Sequence, residues 1–174
     1  MVVYQNFNTE VSNIETQKGY KISLKPFDMR ILPIDLSLFG CRIDFSSFQI
    51  FTRITRENHE VLFLIADTDS ELIISDFEST SVMNGLTHIE GEDKLHIKLK
   101  QLPESGMLFS RFSKANKTTE IVFLSQELAD KTWIIDNKVI IGPDFIYDNP
   151  HKAAFSSKTE VKVLNPEKDN QWKA

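Results

Sequence analysis

The stretch KLHIKLK, residues 94–100, alternates strictly between polar and apolar side chains. Leu95, Ile97 and Leu99 face one side of an extended chain and the polar residues face the other, because successive side chains of a β-strand point in opposite directions. Similar short runs, apolar or alternating, recur along the chain at 21–24, 29–32, 43–54, 61–66, 71–75, 106–111, 120–124, 132–135, 138–141 and 160–164. This pattern predicts a protein made of many short strands.

The composition agrees with this prediction, since 13 Phe residues and many Ile, Val and Thr residues favour strands. Turn-forming stretches rich in Asn, Asp, Gly and Pro separate the runs, and Asp136-Asn137 is predicted to form the tip of a hairpin. Only residues 125–131 have helical character, with Ser125 as the capping residue. We therefore predict an all-β fold with at most one short helix: a Greek-key or jelly-roll-like β-sandwich, or an incompletely closed barrel.

The apolar members of the runs define the expected hydrophobic core of this fold. The core is predicted to contain Ile31, Phe45, Phe51, Leu62, Leu64, Ile97, Leu99, Val122, Leu124 and Ile135. The 174 residues fit one domain, or one domain with a tail. Residues 1–150 are expected to form the sandwich as an accessory domain, and the polar residues 151–174 a linker or the start of a following module.

Charge and hydropathy argue against several classes of function. The formal net charge is -5 with a pI near 5.4, and the charges are scattered along the chain. No basic face for binding nucleic acid or an anionic membrane is therefore expected. No run approaches the ~20 apolar residues of a membrane-spanning helix, so no membrane span is expected. Cys41 is the only cysteine, which excludes an intrachain disulfide, and its apolar neighbourhood predicts a buried, unreactive thiol.

Residues with catalytic or metal-binding chemistry form no recognisable motif. The four histidines, His59, His88, His96 and His151, lie far apart in the sequence, and His96 is assigned to the solvated face of its strand rather than to a metal site. The acidic run DTDSE, residues 67–71, lacks the glycine and the closing glutamate of a calcium loop. It is interpreted as a solvated turn, with weak calcium affinity as the alternative. The other carboxylates are assigned to turns or polar strand faces, so no catalytic residue, metal or cofactor is predicted.

The segment LKPFDMRILPIDLSLFGCRIDFSSFQIFTRI, residues 24–54, resembles the region that follows the catalytic barrel in β-galactosidases of glycoside hydrolase family 35. In that family a strand ending in a Leu-Pro turn precedes a segment with Leu and Gly, and a strand ending in a Leu-Thr-Arg-like run follows. The residues that match these three elements in turn are Ile31, Leu32 and Pro33, then Leu36, Leu38 and Gly40, then Ile43, Phe45 and 51–54. The sequence departs from the family at residues 44–50, where Ser46 and Ser47 replace Ala and Thr, and Ile50 replaces Pro.

The likeness continues in chain order through residues 60–75 and 118–148, the second of which resembles a family segment that leads into a Trp-containing hairpin. In the family, the two catalytic glutamates reside in a TIM barrel, which needs ~250 residues and alternating helices. A 174-residue all-β chain cannot contain that barrel, so the resemblance assigns no catalytic Glu here. It implies a non-catalytic domain that packs against the barrel of the same full-length enzyme, braces it and shapes substrate access. It also favours a periplasmic or extracellular location.

Two other functions are consistent with the same residues. An independent carbohydrate-binding module would stack exposed aromatic side chains on sugar rings, with Trp133, Tyr147 and Trp172 as candidates. Trp133 opens an apolar run, however, and is expected to pack within its hairpin. A free-standing sandwich could instead bind another protein by pairing with an edge strand. Coplanar exposed rings would indicate the carbohydrate module, whereas an exposed apolar patch would indicate the accessory domain.

Overall fold

The computed structural model describes residues 2–5, 9–12, 19–22, 29–66, 70–82, 86–90, 94–99, 101–135, 138–146, 153–154, 161–164 and 172–173. In chain order, the strands in these ranges are β1 (Val2–Gln5), β2 (Thr9–Ser12), β3 (Gly19–Ile22), β4 (Met29–Leu32), β5 (Ile34–Ser37), β6 (Arg42–Ser46), β7 (Gln49–Arg56), β8 (His59–Ile65), β9 (Glu71–Ser75), β10 (Ser79–Val82), β11 (Leu86–Glu90), β12 (Lys94–Leu99), β13 (Met107–Lys114), β14 (Lys117–Leu124), β15 (Thr132–Ile135), β16 (Lys138–Ile141), β17 (Phe145–Ile146), β18 (Ala153–Ala154), β19 (Lys162–Leu164) and β20 (Trp172–Lys173). The one helix in the same ranges is α1 (Gln126–Asp130). For this part of the chain, the predicted all-β fold with at most one short helix is confirmed.

Two five-stranded sheets form the body of the fold. Sheet I has the strand order β10-β13-β14-β8-β7, and sheet II has the order β11-β12-β9-β6-β5. Neighbouring strands in them are antiparallel except β8 and β14, in the middle of sheet I, which run parallel. A four-stranded sheet with the order β15-β16-β19-β20 is called the outer sheet. The remaining pairs are β1 with β4, β2 with β3 and β17 with β18.

Sheets I and II pack face to face around the main core. Its buried members come from both sheets and their connections: Cys41, Ile43, Phe48, Leu62, Leu64, Leu72, Ile74, Leu95, Ile97, Leu99, Leu108, Phe112, Ile121 and Phe123. The apolar face of the alternating stretch KLHIKLK thus lies in this core, as the sequence predicts. The rings of Phe48 and Phe123 meet edge to face across it, with centroids 5.0 Å apart.

The opposite face of sheet I carries a second core. Its buried members come from sheet I, α1 and β16: Ile54, Val61, Phe63, Ile65, Met107, Val122, Leu124, Ala129, Val139 and Ile141. The helix and the outer sheet therefore cover the side of sheet I that faces away from sheet II. All seven residues of β8, HEVLFLI, are buried as a result. A strand that is buried on both faces reads as a continuous apolar run rather than as an alternation, and VLFLI is such a run.

The helix α1 lies in the segment for which the sequence predicts helical character. Ser125 Oγ accepts a hydrogen bond from the Leu128 backbone N–H at 3.2 Å and so caps the first turn. Gly106 packs against the helix with φ at +67°, and a Cβ there would come within 3.0 Å of Leu128 Cδ1 and of Ser125 Oγ. Glycine at this position therefore allows the helix to lie close to the start of β13.

The predicted strand 43–54 is wrong in one respect, because it is two strands in different sheets. β6 belongs to sheet II and β7 to sheet I, and the chain crosses between them at residues 47–48. The Phe48 N–H donates to Ser46 Oγ at 3.0 Å, and the Glu71 N–H donates to Ser47 Oγ at 2.8 Å. Serine hydroxyls that bond to the backbone in this way compete with the strand ladder. Because apolar residues flank the break between β6 and β7 on both sides, the sequence pattern does not indicate it.

Three of the predicted core residues are only partly buried, and the remaining seven are buried. Ile31 lies in β4, which pairs with β1 and belongs to neither large sheet. Phe51 lies at a register irregularity in β7, which is an edge strand of sheet I. Ile135 ends β15, the edge strand of the outer sheet. Among the described strands, each of these three strands pairs with a neighbour on one side only, which an apolar pattern does not reveal.

Residues beyond 150 also contribute strands. Lys162–Leu164 pairs with β16, and Trp172–Lys173 pairs with Lys162–Leu164 in turn. The outer sheet therefore includes residues from both sides of the predicted boundary. The division of the chain at residue 150 stays a prediction.

Truncation of a buried side chain in either core should destabilise the fold. Leu64→Ala affects the main core and Leu124→Ala the second core, and each should lower the free energy of unfolding by roughly 2–4 kcal/mol because a cavity remains. Ile134→Ala is the control, since this side chain is 49% exposed. Its effect should stay within about 0.5 kcal/mol. Urea unfolding followed by circular dichroism measures all three, and a cost below about 0.5 kcal/mol for either leucine would contradict the strand faces.

Candidate functional site

The outer sheet and the short strand β17 expose large apolar side chains. Ile134 is 49% exposed, and Phe145, which follows the sheet's first hairpin, is 60% exposed. Trp133 is half-buried, and the centroid of its ring lies 6.4 Å from that of the Phe145 ring. Trp133 and Ile134 are consecutive in the edge strand β15, so their side chains lie on opposite faces of the sheet. These three residues are called the apolar edge.

Local contacts fix the position of the apolar edge. The Trp133 indole Nε1–H donates to the Pro143 carbonyl oxygen at 2.9 Å. Gly142 donates its N–H to the Lys131 carbonyl oxygen at 3.0 Å. Its φ of +115° is a conformation that favours glycine. The hairpin of β15 and β16 and the turn after it therefore hold the two aromatic rings together.

Charged groups border the apolar edge. Lys131 Nζ lies 2.9 Å from Asp144 Oδ1 and 3.1 Å from Glu127 Oε1. The hydrogen bonds that Lys131 donates to Asp144 and to Glu127 raise the pKa of the lysine. These contacts join α1 to the turn that carries Phe145. They also give the apolar edge a polar rim.

Among the predicted carbohydrate-binding residues, the structure describes the side chain of Trp133. Trp133 is half-buried, and its indole N–H is bonded to the carbonyl oxygen of Pro143, which follows the hairpin. Its ring is tilted by 52° from that of Phe145, so the two rings do not form the flat surface that stacks on a sugar ring. Trp172 lies in β20, paired with Leu164, and Tyr147 lies outside the described residues. The geometry suits contact with an apolar surface better than contact with a sugar.

Sequence reasoning missed two buried carboxylates. Glu60 and Glu120 are both 0% exposed, although the pattern assigns carboxylates to turns and polar strand faces. Each stands directly before a continuous apolar run, at 61–65 and at 121–124. Such a run predicts a strand that is buried on both faces, and a carboxylate at its start is buried with it. A Glu directly before a continuous apolar run is therefore the sequence signal that indicates a buried carboxylate.

Glu60 lies on the face of sheet I that forms the main core, as does Leu62 two residues later. Its carboxylate accepts a hydrogen bond from the Phe39 N–H at 2.6 Å and another from Arg53 Nε. Thr119 Oγ1, from the neighbouring strand β14, lies 3.4 Å from the same carboxylate. A buried carboxylate is tolerated when a cation and further donors satisfy it, and these partners do so.

Glu120 lies on the opposite face of sheet I, which it shares with Val122. His59 Nε2 is 3.9 Å and Arg111 Nη2 is 3.7 Å from its carboxylate oxygens. Glycoside hydrolysis needs two carboxyl groups that reach one bond, about 5–5.5 Å apart in retaining enzymes and about 6.5–9.5 Å apart in inverting enzymes. Glu60 and Glu120 are fully buried with a sheet between them, which excludes this role for the pair.

His96 occupies the polar strand face that the sequence assigns to it. Its Nε2 lies 2.8 Å from Glu71 Oε2, and Lys98 Nζ lies 2.8 Å from Glu71 Oε1. Within the described ranges, no group of three or more His, Cys, Asp or Glu side chains could hold a metal ion. Residues 67–69 of the acidic run lie outside the described residues, so its calcium alternative stays a prediction.

Two comparisons with known proteins find no match. No protein-family model matches the chain. No curated protein sequence matches it either. In the part of the chain that the structure describes, no helix is long and apolar enough to cross a membrane. The family assignment therefore stays a proposal that rests on the resemblance.

Asp44, on the outer face of sheet II, should give the stability a defined pH dependence. Burial raises the pKa of Asp44, but the hydrogen bonds from Ser75 and Lys94 and the charges of Lys94 and Arg42 outweigh it, so the pKa lies below its ordinary value. The stabilisation is therefore complete above the unfolded pKa of about 4 and is lost as the pH falls through the lower folded value. Asp44→Asn should lower the free energy of unfolding at pH 7 by about 1 kcal/mol or less, because solvent screens these contacts.

Urea unfolding of wild type and Asp44→Asn at neutral and acidic pH measures this difference, which should shrink as the pH falls below the unfolded pKa of about 4. Asp35→Asn is the control, because the Asp35 side chain is 78% exposed and 3.6 Å from Arg42. It should show little effect at any pH. A loss in Asp44→Asn that stays constant down to the acid limit would contradict the assigned shift.

Proposed function

We propose that the chain is a non-catalytic β-sandwich domain of a β-galactosidase-like glycoside hydrolase, and that it packs against the catalytic barrel of the same enzyme. The resemblance at residues 24–54, continued at 60–75 and 118–148, supports the family. The single observation that supports the packing role is the apolar edge, where Phe145 is 60% exposed beside a charged rim. A contiguous apolar patch with a polar rim is typical of a surface that another protein covers, and the ring of Phe145 beside that of Trp133 is the start of such a patch.

The small size of the apolar edge favours a partner in the same polypeptide. Three side chains fall well short of the ~800 Å² that each of two free proteins buries in a stable complex. A covalent connection raises the effective concentration to the order of millimolar, so a small surface can remain docked. A barrel that is joined to this domain by the chain therefore fits the surface better than a separate protein does.

Four of the described carboxylates support a non-catalytic role. Glu60 and Glu120 point to opposite faces of sheet I and have basic or backbone partners. On the outer face of sheet II, Asp44 and Glu71 are bonded to lysine, arginine or histidine side chains. Each of these four groups contributes to the fold, so the chemistry of hydrolysis is assigned to the barrel.

A carbohydrate-binding module is the second candidate, because Phe145 presents an exposed ring next to Trp133. The tilt of the rings and the bonded indole N–H argue against it. The two functions differ in one measurable property, which is saturable binding of a galactoside to the isolated chain.

The isolated chain should not hydrolyse β-galactosides. Retaining hydrolysis requires two carboxyl groups about 5–5.5 Å apart at one bond, and Glu60 and Glu120 cannot meet at one bond. In an assay with a chromogenic β-galactoside, the purified chain should therefore release no more product than the buffer blank. Turnover that disappears in Glu60→Gln or Glu120→Gln would overturn the proposed function.

Phe145→Ser tests the packing role. In the complete enzyme, loss of this contact should lower the unfolding temperature by about 2–4 °C, the shift that ~1 kcal/mol produces in a domain of this size. The isolated chain should keep its own unfolding temperature, because the ring is already exposed there. Calorimetry of both forms makes the comparison.

Gln101→Ser serves as the matched control for this substitution, since Gln101 is exposed and lies outside the apolar edge. It should change the unfolding temperature of neither form. An equal effect of Phe145→Ser on the isolated chain and on the complete enzyme would count against a docked edge. Saturable galactoside binding that Phe145→Ser abolishes would favour the carbohydrate-binding module instead.

A further inference from the structure

The loop between β5 and β6, residues 38–41, connects two strands of sheet II but is fastened to sheet I. We propose that this loop, called the strap, opens while both sheets remain folded, and that Glu60 holds it closed. The opening of the strap follows from contacts within the sandwich, so it does not depend on the proposed function.

Side chains fasten the strap to sheet I. The Phe39 N–H donates to Glu60 Oε2 at 2.6 Å, and the Gly40 N–H donates to Thr119 Oγ1 at 2.8 Å. The Leu38 N–H bonds within the strap, to the Cys41 carbonyl oxygen at 2.9 Å. The Cys41 side chain also bonds to Thr119, and none of these three bonds to sheet I belongs to a strand ladder. Release of the strap can therefore leave the ladders of both sheets intact.

When the strap opens, the two side chains that fasten it, Glu60 and Thr119, remain in sheet I. Glu60 and Thr119 are direct neighbours on the parallel strands β8 and β14. Arg53, from β7, donates to the second oxygen of the Glu60 carboxylate. The carboxylate therefore keeps a cationic partner in the open state. This avoids the cost of an unpaired buried charge, which would otherwise make opening very rare.

The closed strap meets sheet I tightly at Gly40. A Cβ at this position would lie 2.3 Å from the Phe112 carbonyl oxygen and 2.8 Å from the Thr119 backbone nitrogen. Both are backbone atoms of sheet I, which cannot move aside as a flexible side chain can. Gly40→Ala therefore disfavours the closed strap and leaves the pair of Glu60 with Arg53 unchanged.

Cys41, at the end of the strap, reports on its opening. It is the only cysteine of the chain and is 2% exposed. Burial raises the pKa of Cys41 to about 12, and the negative charge of Glu60 acts in the same direction. Thiol reagents attack the thiolate, so the closed protein should react very slowly. An open strap exposes the thiol and allows labelling.

Labelling of Cys41 with an aromatic disulfide reagent across a urea series tests the proposal. In wild type at low urea, the rate should be nearly independent of urea and should exceed the rate that global unfolding allows, as expected for a local opening. Glu60→Gln and Gly40→Ala should each raise this rate by about tenfold or more, because each weakens the closed state. Glu78→Gln is the matched control: Glu78 Oε2 accepts the Ala115 N–H at 3.1 Å at an exposed site, and its loss should leave the rate unchanged.

Labelling that follows the full urea dependence of global unfolding, in wild type and in both variants, would overturn the proposal. So would a rate that Gly40→Ala leaves unchanged. If Glu60→Gln does not fold, Gly40→Ala and Thr119→Val decide the question, because both affect the strap and spare the pair of Glu60 with Arg53.

Discussion

The parallel pairing of β8 with β14 is the constraint on which the rest of the structure depends. These strands lie in the middle of sheet I, covered by sheet II on one face and by α1 and the outer sheet on the other. Parallel neighbours cannot be joined by a tight hairpin. The chain between them, residues 66–116, instead forms β9 to β13, and β9, β11 and β12 supply three of the five strands of sheet II. The pairing of β8 with β14 thus determines which strands are available to form the two cores.

The same pairing explains why two carboxylates are buried and what they do. Glu60 and Glu120 each precede an apolar run, and the register places them on opposite faces of sheet I. A buried carboxylate without a partner costs several kcal/mol, so each site requires basic or backbone donors. A slip of β14 by one residue would turn Glu120 into the main core, away from Arg111, and would turn Val122 with it. The two charges therefore help to specify the register, and Glu60 also bonds to the strap.

Local patterns predicted the bounds of some strands but not of others, since β8, β13 and β14 extend beyond the runs 61–66, 106–111 and 120–124 although turn residues border them. The runs 29–32, 71–75, 132–135 and 138–141 coincide with strands at both ends. The break within 43–54 was not predictable, because it depends on a hydrogen bond between Ser47 and Glu71 that pattern analysis cannot see. The partial exposure of Phe51 and Ile135 depends on which strands are edges, a property of long-range pairing. The contact of Trp133 with Phe145 also depends on how the chain folds after β16. The sequence therefore pointed to Trp133 but not to its aromatic partner.

The energetic cost of binding a partner differs between the two sides of the fold. On the outer face of sheet II, Asp44 and Glu71 are bonded to basic side chains at 2.8–3.0 Å. A partner that covered these ion pairs would have to remove their water, at a cost of several kcal/mol per ion. On the other side, Lys131 is already paired at the rim, and the centre of the surface is apolar. Covering Phe145 gains ~25 cal/mol for each Å² of apolar surface removed from water. A partner that docks on this protein should therefore approach the side of the outer sheet that carries Phe145 and leave the ion pairs of sheet II in water.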